Sequence, residues 1–128
     1  MLTVARYGTR DLERAKSFYD PITQLLGATR VLDRPEVVGY KGAEGGMFLV
    51  GTPFEGTATV GNGTQVGFAV PSRAMVDAVH AKALELGGKC EGPPGLRAPD
   101  PNGFYAAYFR DLDGNKLMVF RFGPPRAG

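Results

Sequence analysis

The stretch from Phe104 to Phe122 constrains the fold most, because it predicts two strands folded back on each other. The strands are expected at Phe104–Phe109 and Asn115–Phe122, and both are rich in aromatic and branched residues that suit a half-buried pleated surface. Between them, Asp113-Gly114 is typical of a hairpin turn, since glycine adopts a positive φ without a steric penalty. The stretch therefore predicts a β-hairpin that sets the register of its neighbours.

The same order of elements is expected twice along the chain: one strand, one helix and three strands. The first set is predicted at Thr3–Gly8, Leu12–Leu26, Ala28–Leu32, Val37–Tyr40 and Met47–Val50. The second set is predicted at Thr64–Val70, Met75–Leu86, Lys89–Glu91 and the two hairpin strands. We therefore expect a single α+β domain over residues 1–128, built from two βαβββ modules (1–51 and 64–123) joined by a linker at 52–63. The two modules would form two facing four-stranded mixed sheets around a cleft, with the helices outside.

Residues at the helix ends refine this pattern. Asp11 and Ser72 can each accept a hydrogen bond from a backbone N–H and so cap the two helices. Pro21 lacks a backbone donor, so we expect a break at Asp20-Pro21 in the first helix. The stretch Gly92–Gly103 contains four prolines and predicts an irregular loop.

Composition excludes several classes of partner. A formal net charge of +2 is too small to indicate a nucleic-acid or membrane surface. No apolar stretch approaches the roughly 20 residues needed to span a bilayer. Cys90 is the only cysteine, so an internal disulfide is impossible. With no signal-peptide pattern at Met1-Leu2-Thr3-Val4, we expect a cytoplasmic protein with no nucleic-acid or membrane partner.

Two sequence motifs resemble the vicinal-oxygen-chelate superfamily, which holds glyoxalase I, extradiol dioxygenases and bleomycin-resistance proteins. They are Asp11–Asp20 followed by Leu26-Gly27, and the hairpin motif Phe109–Lys116. The strands Gly63–Ala69 and Tyr105–Tyr108 are similar to those of one glyoxalase-like subgroup. The resemblance covers nearly the whole chain and implies a small-molecule ligand and a homodimer.

Metal-using members of the superfamily take their ligands from the first and last strands of each half. A divalent ion with an open position can chelate two substrate oxygens and stabilise an enolate, but it needs about three or more N or O ligands. The matching positions here hold Val4, Met118 and the apolar strand Met47–Val50, which leaves Gln65 as the only donor. We therefore expect a glyoxalase-like protein that lacks the usual metal ligands, with no metal and no cofactor.

Alternation along the strands places Val4, Arg6 and Gly8 on the cleft face. The candidate ligand-binding residues are Arg6, Gln65, Met118, Tyr105, Tyr108, Phe48 and Phe120. No catalytic residue is predicted. A guanidinium on a concave face needs an anionic partner, so Arg6 is expected to meet Glu44, Glu55, or the carboxylate or phosphate of a ligand. Arg97 and Asp100 are expected either to gate the cleft or to be solvated turn residues.

Three functions remain open. The first is a metal-free small-molecule-binding protein that sequesters its ligand, although no acidic cluster suits a basic antibiotic. It can alternatively be a glyoxalase- or dioxygenase-type enzyme with atypical ligands drawn from Glu44, Gln65, His80 or Asp100. A third interpretation is a ligand-free dimeric interaction subunit whose cleft is filled by Phe48, Met118 and Phe120.

Overall fold

The computed structural model describes residues 1–97, 99 and 103–124. The first module consists of β1 (Val4–Gly8), α1 (Leu12–Leu25), β2 (Thr29–Arg34), β3 (Val37–Lys41) and β4 (Met47–Gly51). The second consists of β5 (Val66–Ala69), α2 (Arg73–Glu85), β6 (Lys89–Leu96), β7 (Phe104–Arg110) and β8 (Lys116–Phe122). This order confirms the α+β class and the two βαβββ modules. Neither described helix has the length and apolar character needed to cross a lipid bilayer.

Each module forms one four-stranded mixed sheet with the same topology. The strand orders are β1-β4-β3-β2 and β5-β8-β7-β6. In each sheet the first strand is parallel to the last strand of its module, and the other pairs are antiparallel. Because Arg6 pairs with Leu49 and Gly67 pairs with Met118, Leu49 and Met118 occupy equivalent positions in the two modules.

The helix caps are confirmed, but the predicted break in the first helix is wrong. Asp11 accepts a hydrogen bond from the backbone of Arg14, and Ser72 accepts one from the backbone of Met75. However, α1 runs without a break through Pro21. Its buried stripe continues past the proline, and burial of that stripe stabilises the helix more than one missing backbone bond destabilises it. Asp20 caps nothing; it accepts a hydrogen bond from Tyr40 instead.

The strand β6 is longer than the short segment expected at Lys89–Glu91, and it extends to Leu96. It includes Pro93 and Pro94, which lie within the register shift between Gly92 and Gly95. An edge strand tolerates prolines at such irregular points, because the missing N–H is not needed for pairing there. Part of the expected loop is thus strand, and Asp100 lies outside the described residues.

One hydrophobic core joins both modules. It includes Phe18 and Ile22 from α1, Val76 and Val79 from α2, and side chains from both sheets. The helices contact each other, and the contacts that we find between the sheets, such as Phe48 with Phe68, involve helix-facing side chains. The expected α+β fold, with two four-stranded mixed sheets and two helices, is confirmed. The helices share the core with one face of each sheet, and the other faces point away from that core.

Candidate functional site

The face of each sheet that points away from the helices carries most of the predicted site residues. We call these surfaces the first and second helix-free faces. The first holds Val4, Arg6 and Leu49, and the second holds Gln65, Gly67, Tyr108, Met118 and Phe120. Val4 is 53% exposed although it is a branched apolar residue in a strand. The alternation predicted for β1, β5 and β8 thus places the residues on the expected sides.

Arg6 lies on the first helix-free face beside a pocket of about 600 Å³. One guanidinium nitrogen donates to the carbonyl of Thr52 at 3.0 Å. Gly51 makes this position possible, because a Cβ there would lie 2.7 Å from the same guanidinium nitrogen. Among the described residues, neither Glu44 nor Glu55 nor any other carboxylate forms an ion pair with Arg6. The pocket also includes Phe54, whose side chain is 99% exposed.

On the second helix-free face, two long side chains lie across a glycine. The amide nitrogen of Gln65 donates to the sulfur of Met118 at 3.7 Å. A Cβ on Gly67 would lie 2.8 Å from the terminal methyl of Met118 and 3.3 Å from the ring of Phe120. Met118 and Phe120 therefore cover β5 here and make this face apolar.

Next to this apolar surface, Tyr108 lies between two cations. The guanidinium of Arg97 is 5.2 Å from the centre of its ring, and the ammonium of Lys116 is 5.3 Å from it. Arg97 also donates to the carbonyl of Ala106 at 2.8 Å, which holds the guanidinium on the sheet. Neither cation forms an ion pair with a carboxylate in the described part of the chain. This part of the face is suited to an anion.

Two of the candidate residues lie on the helix-facing side instead. The hydroxyl of Tyr105 donates to Asp77 of α2 at 2.6 Å, and burial followed by this bond raises its pKa to about 12. Phe48 is buried against Tyr19 and Phe68. Neither side chain can line a cleft formed by the helix-free faces.

The residues at the metal positions of the resembling proteins do not fit a divalent ion. Val4, Leu49 and Met118 offer two hydrocarbons and a thioether, and a thioether suits Cu(I) rather than Mg, Mn, Ni or Zn. Gln65 alone adds an amide. In the ranges that the structure describes, no three His, Cys, Asp or Glu residues come together. His80 lies in the buried stripe of α2, away from these positions.

The comparisons with known proteins agree with the fold and the motifs. The model of the Glyoxalase/Bleomycin resistance protein/Dioxygenase superfamily matches residues 2–119. The chain belongs to this superfamily. A glyoxalase/bleomycin resistance protein from Albidiferax ferrireducens T118 is 37% identical, with a TM-score of 0.85 over 94% of this chain and 98% of that one. A lactoylglutathione lyase from Agrobacterium tumefaciens shares the fold at 24% identity and a TM-score of 0.68, over 94% and 92% of the two chains. Among curated proteins no match was found.

Sequence reasoning missed two features of this superfamily member. One is the second cation beside Tyr108, which alternation alone does not reveal because Arg97 reaches the sheet from beyond the end of β6. The other is a pocket on the helix-facing side, between the turn at 42–46 and β5. The glycines at 42, 45 and 46 were the available signal for that pocket.

Proposed function

We propose that this chain binds an anionic small molecule on its helix-free faces without using a metal ion. The observation that carries this proposal is the guanidinium of Arg6, which has a single carbonyl contact and no carboxylate partner in the described part of the chain. A ligand carboxylate or phosphate supplies the missing acceptor by two parallel hydrogen bonds. Lys116 and Arg97 would add a second positive region.

A homodimer is part of the same proposal. The two helix-free faces point away from the shared core, so one chain presents two separate half-sites. A second copy can place its Met118 face opposite the Arg6 face and cover the exposed Val4. Apolar strand residues exposed in this way are typical of interfaces. A two-fold dimer would then contain two complete clefts.

The donor chemistry supports the metal-free part of the proposal. The side chains at the superfamily's metal positions are Val4, Leu49, Gln65 and Met118, a set that supplies a single oxygen ligand. Binding and orientation are then the chemistry available here: Arg6 positions the anionic group, and Met118 with Phe120 packs against the apolar part. Sequestration of a ligand needs nothing more.

The test is thermal shift with a panel of aromatic carboxylates and phosphate monoesters, with EDTA or with Ni²⁺, Zn²⁺ or Mn²⁺. A ligand that binds only the folded state raises the melting temperature. We expect the compounds that raise the melting temperature to be anions, and we expect each rise to be the same with EDTA as with added metal. Arg6→Gln should weaken their binding about tenfold to a hundredfold, as expected for charge-assisted hydrogen bonds. Lys82→Gln, in an ion pair on the surface of α2, is the matched control and should leave this binding unchanged.

Two results would contradict the proposal. One is binding that appears only with added metal, and the other is turnover in a glyoxalase assay with Ni²⁺ or Zn²⁺, which would indicate the enzyme with atypical ligands. Analytical ultracentrifugation tests the homodimer separately. A chain that stays monomeric at high concentration would show that the two faces act alone.

A further inference from the structure

The two modules contain hairpin turns with the same backbone and different side chains. In the first turn, the N–H of Gly42 donates to the carbonyl of Gly46 at 3.1 Å, and the N–H of Gly45 donates to that of Gly42 at 3.1 Å. In the second turn, the N–H of Asp111 donates to the carbonyl of Asn115 at 2.9 Å, and the N–H of Gly114 donates to the carbonyl of Asp111 at 3.1 Å. The φ angles of Gly45 and Gly114 are 96° and 97°. The turns at 42–46 and 111–115 are therefore structural equivalents.

Within the part of the chain that the structure describes, side-chain hydrogen bonds anchor only the second turn to the other module. Asp113 accepts a 2.5 Å hydrogen bond from the hydroxyl of Thr9 at the end of β1, and Asn115 donates to the carbonyl of Gly8 at 3.0 Å. In the first turn, Gly46 stands at the position of Asn115, which removes that contact. Glu44 stands at the position of Asp113, but among the described residues it forms no ion pair. The first turn leaves open the space beside β5 that the second turn fills beside β1.

That space is a pocket of about 790 Å³, which we call the turn pocket. It is bounded by the turn at 42–46, the C-terminal end of α1 and β5. Its apolar walls include Leu26, Tyr40, Phe48, Val66 and Phe68. Known small-molecule pockets range from about 300 to 1,000 Å³. The turn pocket lies on the helix-facing side of the sheets and is separate from the face that carries Arg6.

One cation lies in the wall of the turn pocket. The Nε atom of Arg121 is buried and has no hydrogen-bond partner among the described residues. Within the described ranges, Arg121 forms no ion pair with any carboxylate. A guanidinium in a mostly apolar pocket wall favours a ligand that supplies an anionic acceptor.

The other charged residue of the turn pocket is Glu44, at the exposed tip of the turn. Water and salt screen an exposed charge, whereas a partly buried guanidinium is screened much less. Arg121 therefore dominates the electrostatics inside the turn pocket. We propose that the turn pocket binds a small apolar monocarboxylate, with its carboxylate on Arg121 and its hydrocarbon against Phe48 and Phe68. This site does not depend on the proposed function of the Arg6 face.

Isothermal titration calorimetry with octanoate tests the proposal, with 1-octanol and octylamine as probes of equal length and different charge. We expect octanoate to bind one equivalent per chain and octylamine not to bind. Arg121→Gln should weaken octanoate binding by about tenfold or more, the loss expected for a charge-assisted bond. Arg121→Lys should retain more of the affinity than Arg121→Gln. Stronger binding of octylamine than of octanoate would overturn the proposal.

A second pair of variants keeps Arg121 intact. Ala28→Phe places a ring in the turn pocket and should abolish octanoate binding, whereas Ala78→Phe adds the same ring to the exposed face of α2 and should not. Arg6→Gln should have no effect on octanoate. If Arg6→Gln abolished the binding and Arg121→Gln did not, octanoate would occupy the Arg6 face and the turn-pocket proposal would be wrong. If Ala28→Phe instead abolished self-association of the chain, the turn pocket would be occupied by a second copy of the chain. That result would also overturn the proposal.

Discussion

The hydroxyl of Tyr19 donates a 2.5 Å hydrogen bond to Oδ2 of Asp111, and so links α1 of the first module to the closing hairpin of the second. Burial is the largest cause of a strongly raised Tyr19 pKa, and the Asp111 charge raises it further. The hydroxyl is therefore protonated at neutral pH and can act as a donor. Asp111 also accepts hydrogen bonds from the backbone N–H groups of Asp113 and Asn115 and from the Asn115 side chain.

This arrangement predicts different costs for removing its two ends. Tyr19→Phe should lower the free energy of unfolding by about 1–2 kcal/mol, because Asp111 keeps its other donors. Asp111→Ala should cost about 3 kcal/mol or more, because it leaves several buried donors without an acceptor. Urea denaturation measures both values. Asp33→Asn is the control, because Asp33 forms a surface ion pair with Lys16. It should change the free energy of unfolding by less than about 1 kcal/mol. Equal costs for Tyr19→Phe and Asp111→Ala would contradict the interpretation.

A second prediction concerns Gly88, which begins the approach of the chain to β6. A Cβ at Gly88 would lie 2.7 Å from the carbonyl oxygen of Arg110 and 2.9 Å from that of Ala83. Because both atoms are backbone, Gly88→Ala should lower the free energy of unfolding by about 1–3 kcal/mol. At Gly95 a Cβ would meet nothing within 4 Å, so Gly95→Ala is the matched control. Thermal denaturation of the pair checks this, and equal melting temperatures would show that the backbone adjusts freely.

The buried histidine predicts an acid-sensitive stability. His80 is 6% exposed, and its Nε2 atom has no hydrogen-bond partner in the described ranges of the chain. Burial lowers its pKa below 6.5 and outweighs the opposing effects of the Tyr108 backbone and Asp77. The pKa of this histidine is about 6.5 in the unfolded chain and lower in the folded one. At a pH between these two values, the unfolded chain binds more protons than the folded chain. The His80 contribution to stability is therefore present above about pH 6.5 and is lost as the pH falls through this range.

The measurement is the free energy of unfolding between about pH 7 and 5, a range in which histidine is the side chain that titrates in the unfolded chain. His80→Leu should flatten the dependence, whatever it does to stability at neutral pH. His80 is the single histidine of the sequence, which makes the comparison direct. An unchanged slope in His80→Leu would assign the acid sensitivity to the carboxylates.

A split metal site tests both the donor set and the dimer. We expect a mixture of two variants, Val4→His with Leu49→Glu and Met118→Glu alone, to bind Ni²⁺. The first supplies His and Glu ligands on one helix-free face, and the second adds a Glu beside its own Gln65. Equilibrium dialysis should find the ion bound more tightly by the mixture, which has a fourth ligand, than by either variant alone. A monomeric chain carrying all three substitutions that binds one ion would instead show that both faces meet within one molecule.

The sequence predicted the elements well where local chemistry decides them. The caps Asp11 and Ser72 and the turn at Asp113-Gly114 depend on neighbouring residues, and the structure confirms them. The break at Pro21 was wrong because the buried stripe of α1 spans it, which is a tertiary effect. The strand β6 was underestimated because its two prolines are accommodated by register shifts that need the partner strand β7.

The candidate site was predicted less completely, for a geometrical reason. Alternation assigned Arg6, Gln65 and Met118 to the same kind of face, and the structure places them there. It could not assign Tyr105 or Phe48, since aromatic residues suit either side of a strand until the helices are placed. Nor could it show that the helix-free faces point away from the core, because that depends on how α1 and α2 pack on each other.

The unequal anchoring of the two turns has a consequence for engineering this scaffold. Among the described contacts, the turn at 42–46 is held by backbone hydrogen bonds, while the turn at 111–115 is bound to the opposite module through side chains. Insertions and epitope grafts should therefore be accepted at the first turn and rejected at the second. The duplicated architecture thus carries one site that is free to diversify and one that must be kept.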